Sequence, residues 1–549
     1  MLKKAHRSFL IIILIGKVLA TTNGATPFRK EENLRIKDDL AVFPLIREAI
    51  QKTSERPSLP FAITTREGHF KIHYSLSGYD SVSVLDENLD SIPDYINEVA
   101  RTAERVYKIL IDTLGFNPPP VDGIDGNEID IYVVNLGGNY YGLTFPESEV
   151  TDTPQKADYT SYLKIDNDYA ESSYNSKGLD GLHVTIAHEF FHMVQLGYNY
   201  FMSNSLSDQY GDTYFLEWNS IWFEERAYPE VNDYLYYISS FFINPSKSIW
   251  TRDYWYSLGI FLKFVLNKYG EHTLVKVWEK MRDENKYAMD AFNEVMEELN
   301  TNIFDLWNEF FTVIYYSDGK FLPEKSLTPD AEFFPELNYS FKLKFHRDDN
   351  TLSVTGRISP CGTLPVLVTF SGNQFTYLKD FKGNLKHSIS RFLLDRYLYS
   401  DVTMLLKWYD DIFIGDTRLK DTLAIFITNA NIDSSVQVSF GIVKSEEEPE
   451  GNSRIVSIYP NPILLNIVDK LNIELDIRKR YKNMEILIYD LLGRQIYRKK
   501  YGEEYLGLGQ MSFEVDVNKL SQKNISSGVY ILCITLDSEI LSRKITILK

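Results

Sequence analysis

The segment Val184-Thr185-Ile186-Ala187-His188-Glu189-Phe190-Phe191-His192-Met193-Val194-Gln195 sets two histidines and a glutamate inside an apolar run. On a helix, positions four apart share a face, so His188 and His192 can aim both imidazoles at one point. Two neutral imidazoles held that way suit a tetrahedral zinc ion. Glu189 follows His188 and lies about 100° round the helix. From there it can reach a water at the metal without ligating the metal, the placing of a general base in a zinc hydrolase. Burying two histidines and a carboxylate in so apolar a helix is costly unless something binds them.

The helix that carries them is expected to run from an N-cap at Asp180 to a stop at Gly197, with Leu182, Ile186, Phe190 and Met193 on its apolar face. A metzincin continuation is absent, because Gln195 stands where that pattern needs Gly and Tyr198 where it needs a third His. The third ligand must come from elsewhere. Tyr214 to Ala227 reads as a second helix, apolar at Phe215, Trp218, Ile221 and Trp222 and acidic at Glu217, Glu224 and Glu225. A carboxylate from it would complete a His-His-Glu site with a water in the fourth position.

The elements ahead of these helices must position them. His69 to Tyr74 alternates and predicts a strand, as do Glu128 to Val134, Tyr140 to Phe145 and Ser161 to Ile165. A helix is predicted from about Pro93 to Leu114, striped by Ile96, Val99, Ala103, Val106, Ile109 and Leu110. Before it, Asp86-Glu87-Asn88-Leu89-Asp90-Ser91-Ile92-Pro93-Asp94 places oxygen side chains at alternate positions. The stretch resembles a calcium loop with Asp86, Asn88, Asp90 and Asp94 as ligands, without the central Gly and twelfth-position Glu of an EF-hand. An acidic turn capping the next helix is the other reading. Downstream, Tyr234 to Phe242, Tyr254 to Tyr269, His272 to Met281, Met289 to Leu299 and Phe304 to Tyr315 read as amphipathic helices forming a helical subdomain.

These pieces, in this order, resemble the gluzincin metallopeptidases (peptidase MA-like), in which a W-x-x-E or W-x-E segment with E-x-x-A carries the third zinc ligand. Trp222-x-Glu224-x-x-Ala227 matches it. The likeness is to secreted bacterial proteins that pair an acidic D-x-N-x-D-x-x-P-D stretch, a Pro118-Pro119-Pro120 turn and an Asp130-Ile131-Tyr132 strand with His188-Glu189-Phe190-Phe191-His192. It implies an α/β zincin-like catalytic domain, a mixed sheet packed on the histidine helix with an edge strand along a substrate groove. It also implies zinc held by His188, His192 and Glu224, with Glu189 as general base. Glu225 is the neighbouring alternative for the third ligand, and Glu217 lies two turns earlier on the same face as Glu224. Tyr228 stands where some gluzincins carry an acidic residue that orients a histidine, so that partner is unassigned. Tyr256 or Tyr254 is a candidate donor to the oxyanion of the transition state, against a packing role in a chain with 37 tyrosines.

A chain of 549 residues, 44% hydrophobic and 14% aromatic, is globular and too long for one core. A net charge of −18 excludes the basic stripe of a nucleic-acid binder. Cys361 and Cys533 are the two cysteines, too far apart to frame a disulfide scaffold or a zinc knuckle, and read as buried thiols in separate domains. Lys3, Lys4 and Arg7, then an apolar run from Phe9 to Gly16 and small residues at Ala20 and Ala25, read as a secretory signal over 1–25. Residues 26–65 read as an N-terminal extension or propeptide, 66–325 as the catalytic domain, and no later stretch reads as a membrane span.

Residues 330–445 change to strands (Tyr339 to Phe345, Thr351 to Thr355, Pro365 to Phe370, Met404 to Trp408, Thr422 to Thr428, Val436 to Val443) and suggest an all-β sandwich. An acidic linker over 446–454 leads to a last module over 455–549. There Tyr459-Pro460-Asn461-Pro462, Asp490-Leu491-Leu492-Gly493, Ser527-Gly528-Val529-Tyr530 and a Lys-containing final strand resemble the type A C-terminal sorting domain of the type IX (Por) secretion system. The resemblance implies type IX machinery as partner and a secreted or cell-surface location reached through the periplasm. The expected function is that of a secreted zinc peptidase acting on protein or peptide. The alternative is a surface adhesin on a zincin scaffold whose β-domains do the binding.

Overall fold

Period-two strands in the first third of the chain build one mixed sheet that backs the histidine helix. The computed structural model describes residues 56–549 except 139, 151–157, 204–211, 250, 324, 347, 373, 384–387, 396–401, 407–411, 418–420, 433, 446–450, 466–467, 469 and 522–524. The expected signal, the extension as far as residue 55 and half of the expected linker lie outside them. The chain divides into two compact units: one runs to Ile243 and takes in Trp250–Ile303 and Phe333–Pro335, the other holds Asn244–Ile249, Phe304–Glu332 and Glu336–Lys549.

In the first unit β1 (Phe61–Thr64), β2 (Phe70–Tyr74), β3 (Ile129–Val134), β4 (Gly142–Glu149) and β5 (Tyr159–Asp166) lie in the order β1-β2-β3-β5-β4. β2, β3 and β5 are parallel, and β1 and β4 are antiparallel to their neighbours. Tyr132, Val134 and Tyr162 cluster with Leu59 and Phe145 on one face. The alternate residues Ile131, Val133, Leu163 and Ile165 are buried on the other face, where α2 packs on β4 and β5. Arg56 lies over the Tyr162 ring and bridges to Asp122, Asp130 and Glu147. With β1 already in the sheet, this domain begins by residue 56 rather than 66.

The helices are α1 (Asp94–Tyr107), α2 (Leu179–Ser203), α3 (Thr213–Ala227), α4 (Ser239–Ile243), α5 (Gly259–Tyr269), α6 (His272–Asp283), α7 (Ala288–Glu298) and α8 (Ile303–Ile314). α1 ends in a wider π-type turn over Lys108–Thr113. α2 starts one residue before Asp180, which falls in its first turn instead of capping it. It also passes Gly197 and breaks at Asn199. A Cβ at Gly197 would stand 2.8 Å from Pro120 Cδ, so this glycine seats the proline turn against the helix. The helix predicted over Tyr234 to Phe242 is a short 3-10 turn, Asp233–Tyr236, followed by the five-residue α4.

In the second unit β6 (Phe341–His346), β7 (Thr351–Ile358), β8 (Thr363–Ser371), β9 (Gln374–Lys382), β10 (Ser388–Asp395), β11 (Val402–Leu406), β12 (Ile412–Thr417), β13 (Thr422–Asn429) and β14 (Val436–Ser445) make two sheets. Their orders are β11-β10-β13-β8-β6 and β12-β9-β14-β7. Val366, Val368, Ile425, Val438 and Ile442 fill the space between them. α8 belongs here and not to the preceding helices: Phe311 packs on Phe426, and Asn308 Nδ2 donates to the Phe426 and Ile389 carbonyls.

The last module follows with β15 (Arg454–Tyr459), β16 (Ile463–Leu464), β17 (Lys470–Ile477), β18 (Asn483–Tyr489), β19 (Gln495–Gly502), β20 (Gly509–Asp516), β21 (Gly528–Leu536) and β22 (Glu539–Leu548). They form sheets β15-β17-β20 and β16-β22-β21-β18-β19 around Ile473, Leu475, Ile486, Leu532 and Ile545. β20 lies against β11 and β12, so this module and the sandwich form one unit instead of being separate. Neither Cys361 nor Cys533 is in a disulfide, and the Cys361 thiol lies 3.6 Å from the Asn431 carbonyl oxygen.

Candidate metal centre

His188 and His192 sit one turn apart in α2 with their Nε2 atoms 3.0 Å from each other. Each ring is fixed from behind. Nδ1–H of His188 donates to Glu224 Oε1 at 2.5 Å, and Nδ1–H of His192 donates to Gln195 Oε1 at 2.7 Å. Gln195 Nε2 donates to the Leu216 carbonyl, which turns its amide oxygen toward His192. With both Nδ1 atoms protonated, both Nε2 atoms present lone pairs to the same point.

α3 supplies the rest from one face, at positions i, i+3 and i+7. Glu217 Oε2 lies 3.3 Å from His188 Nε2, and its Oε1 3.8 Å from His192 Nε2. Ser220 Oγ is 3.3 Å from His192 Nδ1, and Glu224 holds His188 from the far side. His188, His192 and Glu217 thus bring one ligand atom each within 4.8 Å of one another. Of the acidic residues of α3, Glu217 and not Glu224 lies level with the two Nε2 atoms, and Glu224 lies at the Nδ1 of His188. Glu225 points away and pairs with Lys263 at 2.8 Å. Tyr228 stacks on His183 and carries Arg105 over its ring.

Burial is nearly complete: His188, Glu189, Glu217 and Glu224 are at most 5% exposed. It pushes His188 down to about 3 and His192 to about 4, so both rings are neutral at physiological pH. Burial pushes Glu189 up to about 8, with Glu217 adding to the rise, and Glu217 up to about 7. Glu224 rises too, from burial first and then from Asp233, Glu217, Glu189 and Glu225. Glu217 Oε2 is buried with no hydrogen-bond partner. Two facing lone pairs beside an unsatisfied buried carboxylate repel one another, and a dication between them removes the conflict. A His₂Glu donor set could hold a divalent ion such as zinc.

Glu189 belongs to α2 but is held from β4. Thr144 Oγ1 lies 2.6 Å from Glu189 Oε2 and 3.0 Å from the Glu189 carbonyl oxygen. Tyr254 is buried with its ring against Phe241, and Tyr256 lies 5.7 Å from the Tyr237 ring. In the acidic loop, Asp86 accepts from the amides of Asp90 and Ser91, Asp90 from that of Ile92, and Asp94 from that of Glu87. These carboxylates are not among the described groups that converge on one point, and their side chains close Asx-turns ahead of α1. Thr144, Gln195 and Ser220 were not singled out from the sequence. Gln195 could have been, three residues past His192 on the same face.

Residues 81–313 match a family of unknown function (DUF6055), and residues 457–548 match a secretion system C-terminal sorting domain. No curated protein matches the chain. Among solved structures, PorZ, an essential surface component of the type-IX secretion system of Porphyromonas gingivalis, is 15% identical over 20% of this chain and 14% of its own, with a TM-score of 0.14. Dimeric latent PorU from Porphyromonas gingivalis is 14% identical over 38% of this chain and 19% of its own, at 0.16. A mutant of PliG-Ec, a periplasmic inhibitor of g-type lysozyme from Escherichia coli, is 7% identical over 19% of this chain and 98% of its own, at 0.14. The chain therefore spans less than a fifth of PorZ and of PorU. Among the described residues no helix is long and apolar enough to cross a membrane. The β-module over residues 457–548 is a C-terminal sorting domain, and it marks the chain for export by the type IX secretion system to the cell surface or the extracellular space.

Proposed function

We propose that the first unit is a zinc-dependent peptidase of gluzincin type, with a zincin-like fold, acting on protein or peptide outside the cell. The observation that carries this reading is the convergence of two neutral Nε2 atoms and the buried Glu217 carboxylate, with both Nδ1 atoms already engaged. The mixed sheet behind α2 supports it, as does edge strand β4 reaching Glu189. His188, His192 and Glu217 would hold the ion. Glu224 and Gln195 would keep the two imidazoles in the ligating tautomer. When bound, zinc would supply Lewis-acid polarisation of a carbonyl and a water. Glu189 is the base: its carboxylate takes the proton of the attacking water and returns it to the leaving amine. The burial of these groups keeps competing solvent away from the acid–base pair.

Glu189→Gln tests the reading, since glutamine keeps the shape and cannot accept the proton. Zinc content of the purified variant should match the parent, while casein cleavage should fall about 10²- to 10⁴-fold. A variant that keeps zinc and cleaves at the parental rate would remove Glu189 from the chemistry and favour a binding role for the scaffold.

A further inference from the structure

Thr144 lies on the edge strand of the sheet, far in sequence from α2, yet its hydroxyl meets Glu189 at two atoms. Oγ1 is 2.6 Å from carboxylate Oε2 and 3.0 Å from the carbonyl oxygen of the same residue. A hydroxyl has one proton to give. The shorter contact, to the carboxyl oxygen, is the stronger of the two. The proton therefore goes to Oε2, and the backbone carbonyl receives at most a share of it.

The other carboxylate oxygen is treated differently by the same strand. Gly142 is two residues before Thr144, on the same face of β4. A Cβ placed there would stand 2.7 Å from Glu189 Cγ and 3.2 Å from Oε1. The missing side chain leaves Oε1 its space, while Thr144 ties Oε2 down. β4 thus makes the two oxygens of Glu189 inequivalent.

We infer that Thr144 is a positioning residue: it fixes Oε2 of Glu189 and thereby presents Oε1 as the atom that receives the proton of the attacking water. This rests on the reading of Glu189 as general base. The hydroxyl touches none of the three proposed ligand atoms, so its loss leaves the ion in place. Without it the carboxylate samples other rotamers of a side chain with three torsions, and the fraction aimed at the water falls.

The test compares Thr144→Val, Thr144→Ala and Thr144→Ser with Glu189→Gln, using labelled casein as substrate and zinc content as an independent readout. Valine keeps the shape and removes the donor, alanine asks less of the packing, and serine keeps the donor. For valine and alanine, kcat is expected to fall about ten- to a hundredfold, the worth of one hydrogen bond to a charged acceptor. Their KM should stay within about twofold, and zinc stoichiometry should be unchanged. Serine should stay within about threefold of the parent in kcat. Parental kcat in the valine or alanine variant overturns the inference. So does an equal loss in all three, which would make Thr144 merely structural, and so does a rise in KM alone. If Glu189→Gln itself cleaves casein at the parental rate, the base assignment fails first. If Glu189→Gln is inactive while Thr144→Val is not, only the role of Thr144 fails.

Discussion

Replacing the two acidic residues of α3 one at a time separates a ligand from the residue that orients a ligand. Glu217 faces both Nε2 atoms, at 3.3 and 3.8 Å, whereas Glu224 reaches only the Nδ1 of His188. Structural zinc binds with roughly 10–16 kcal/mol of apparent free energy. Shared among four coordination positions, this is about 3–4 kcal/mol for each, or about 10²–10³ in Kd. Glu217→Ala should therefore weaken zinc binding by about 10²–10³. Glu224→Ala leaves all three donor atoms in place but frees the His188 ring, a change worth about 10–10². The assay is competition with a chromophoric chelator at neutral pH, with circular dichroism confirming that both variants are folded. If Glu224→Ala loses more zinc affinity than Glu217→Ala, or Glu217→Ala binds like the parent, the ligand assignment is refuted.

Removing residues 455–549 should strand the protein in the periplasm of a host that has the type IX system, as fractionation and immunoblotting would show; normal export of the shortened chain would refute the role of the sorting domain. The metal-free protein should lose stability as pH rises. Burial lifts Glu189 to about 8 and Glu217 to about 7 from an ordinary 4.5, so the folded state keeps protons that the unfolded chain releases. That contribution is fully present below about 4.5 and lost as pH climbs through about 8, while the buried His188 and His192, held near 3 and 4, oppose it up to about 6.5, so thermal melts of chelated protein should shift downward between about pH 6.5 and pH 8. A flat or rising profile would mean that these carboxyls do not take up protons on folding.

The pair His188 and His192 was legible because its geometry is local, set by one turn of helix. The choice between Glu217 and Glu224 was not. The two share a face, but they stand about 10 Å apart along the axis, and only the packing of α3 against α2 decides which one is level with the imidazoles. Thr144 was invisible for a related reason, since it approaches Glu189 from a strand 45 positions away in sequence. The strands β3, β5, β8 and β13 read clearly from their apolar character. β9, Gln374–Lys382, and β12, Ile412–Thr417, mix charged and apolar residues, and nothing local distinguishes them from loop. The boundary expected at residue 66 gives way because the pairing of β1 with β2 carries the sheet further upstream.

Arg56 gives that upstream stretch a structural role. Its guanidinium joins Asp122, Asp130 and Glu147 on the back of the sheet, and His73 reaches Asp130 from the other side at 2.7 Å. A chain shortened past Arg56 leaves three carboxylates crowded together without the guanidinium that joins them. Breaking one partner out of a buried ion pair costs about 3–5 kcal/mol, a large part of the margin by which a domain stays folded. The residue therefore works as a latch: a chain shortened past it would be a weakened protein.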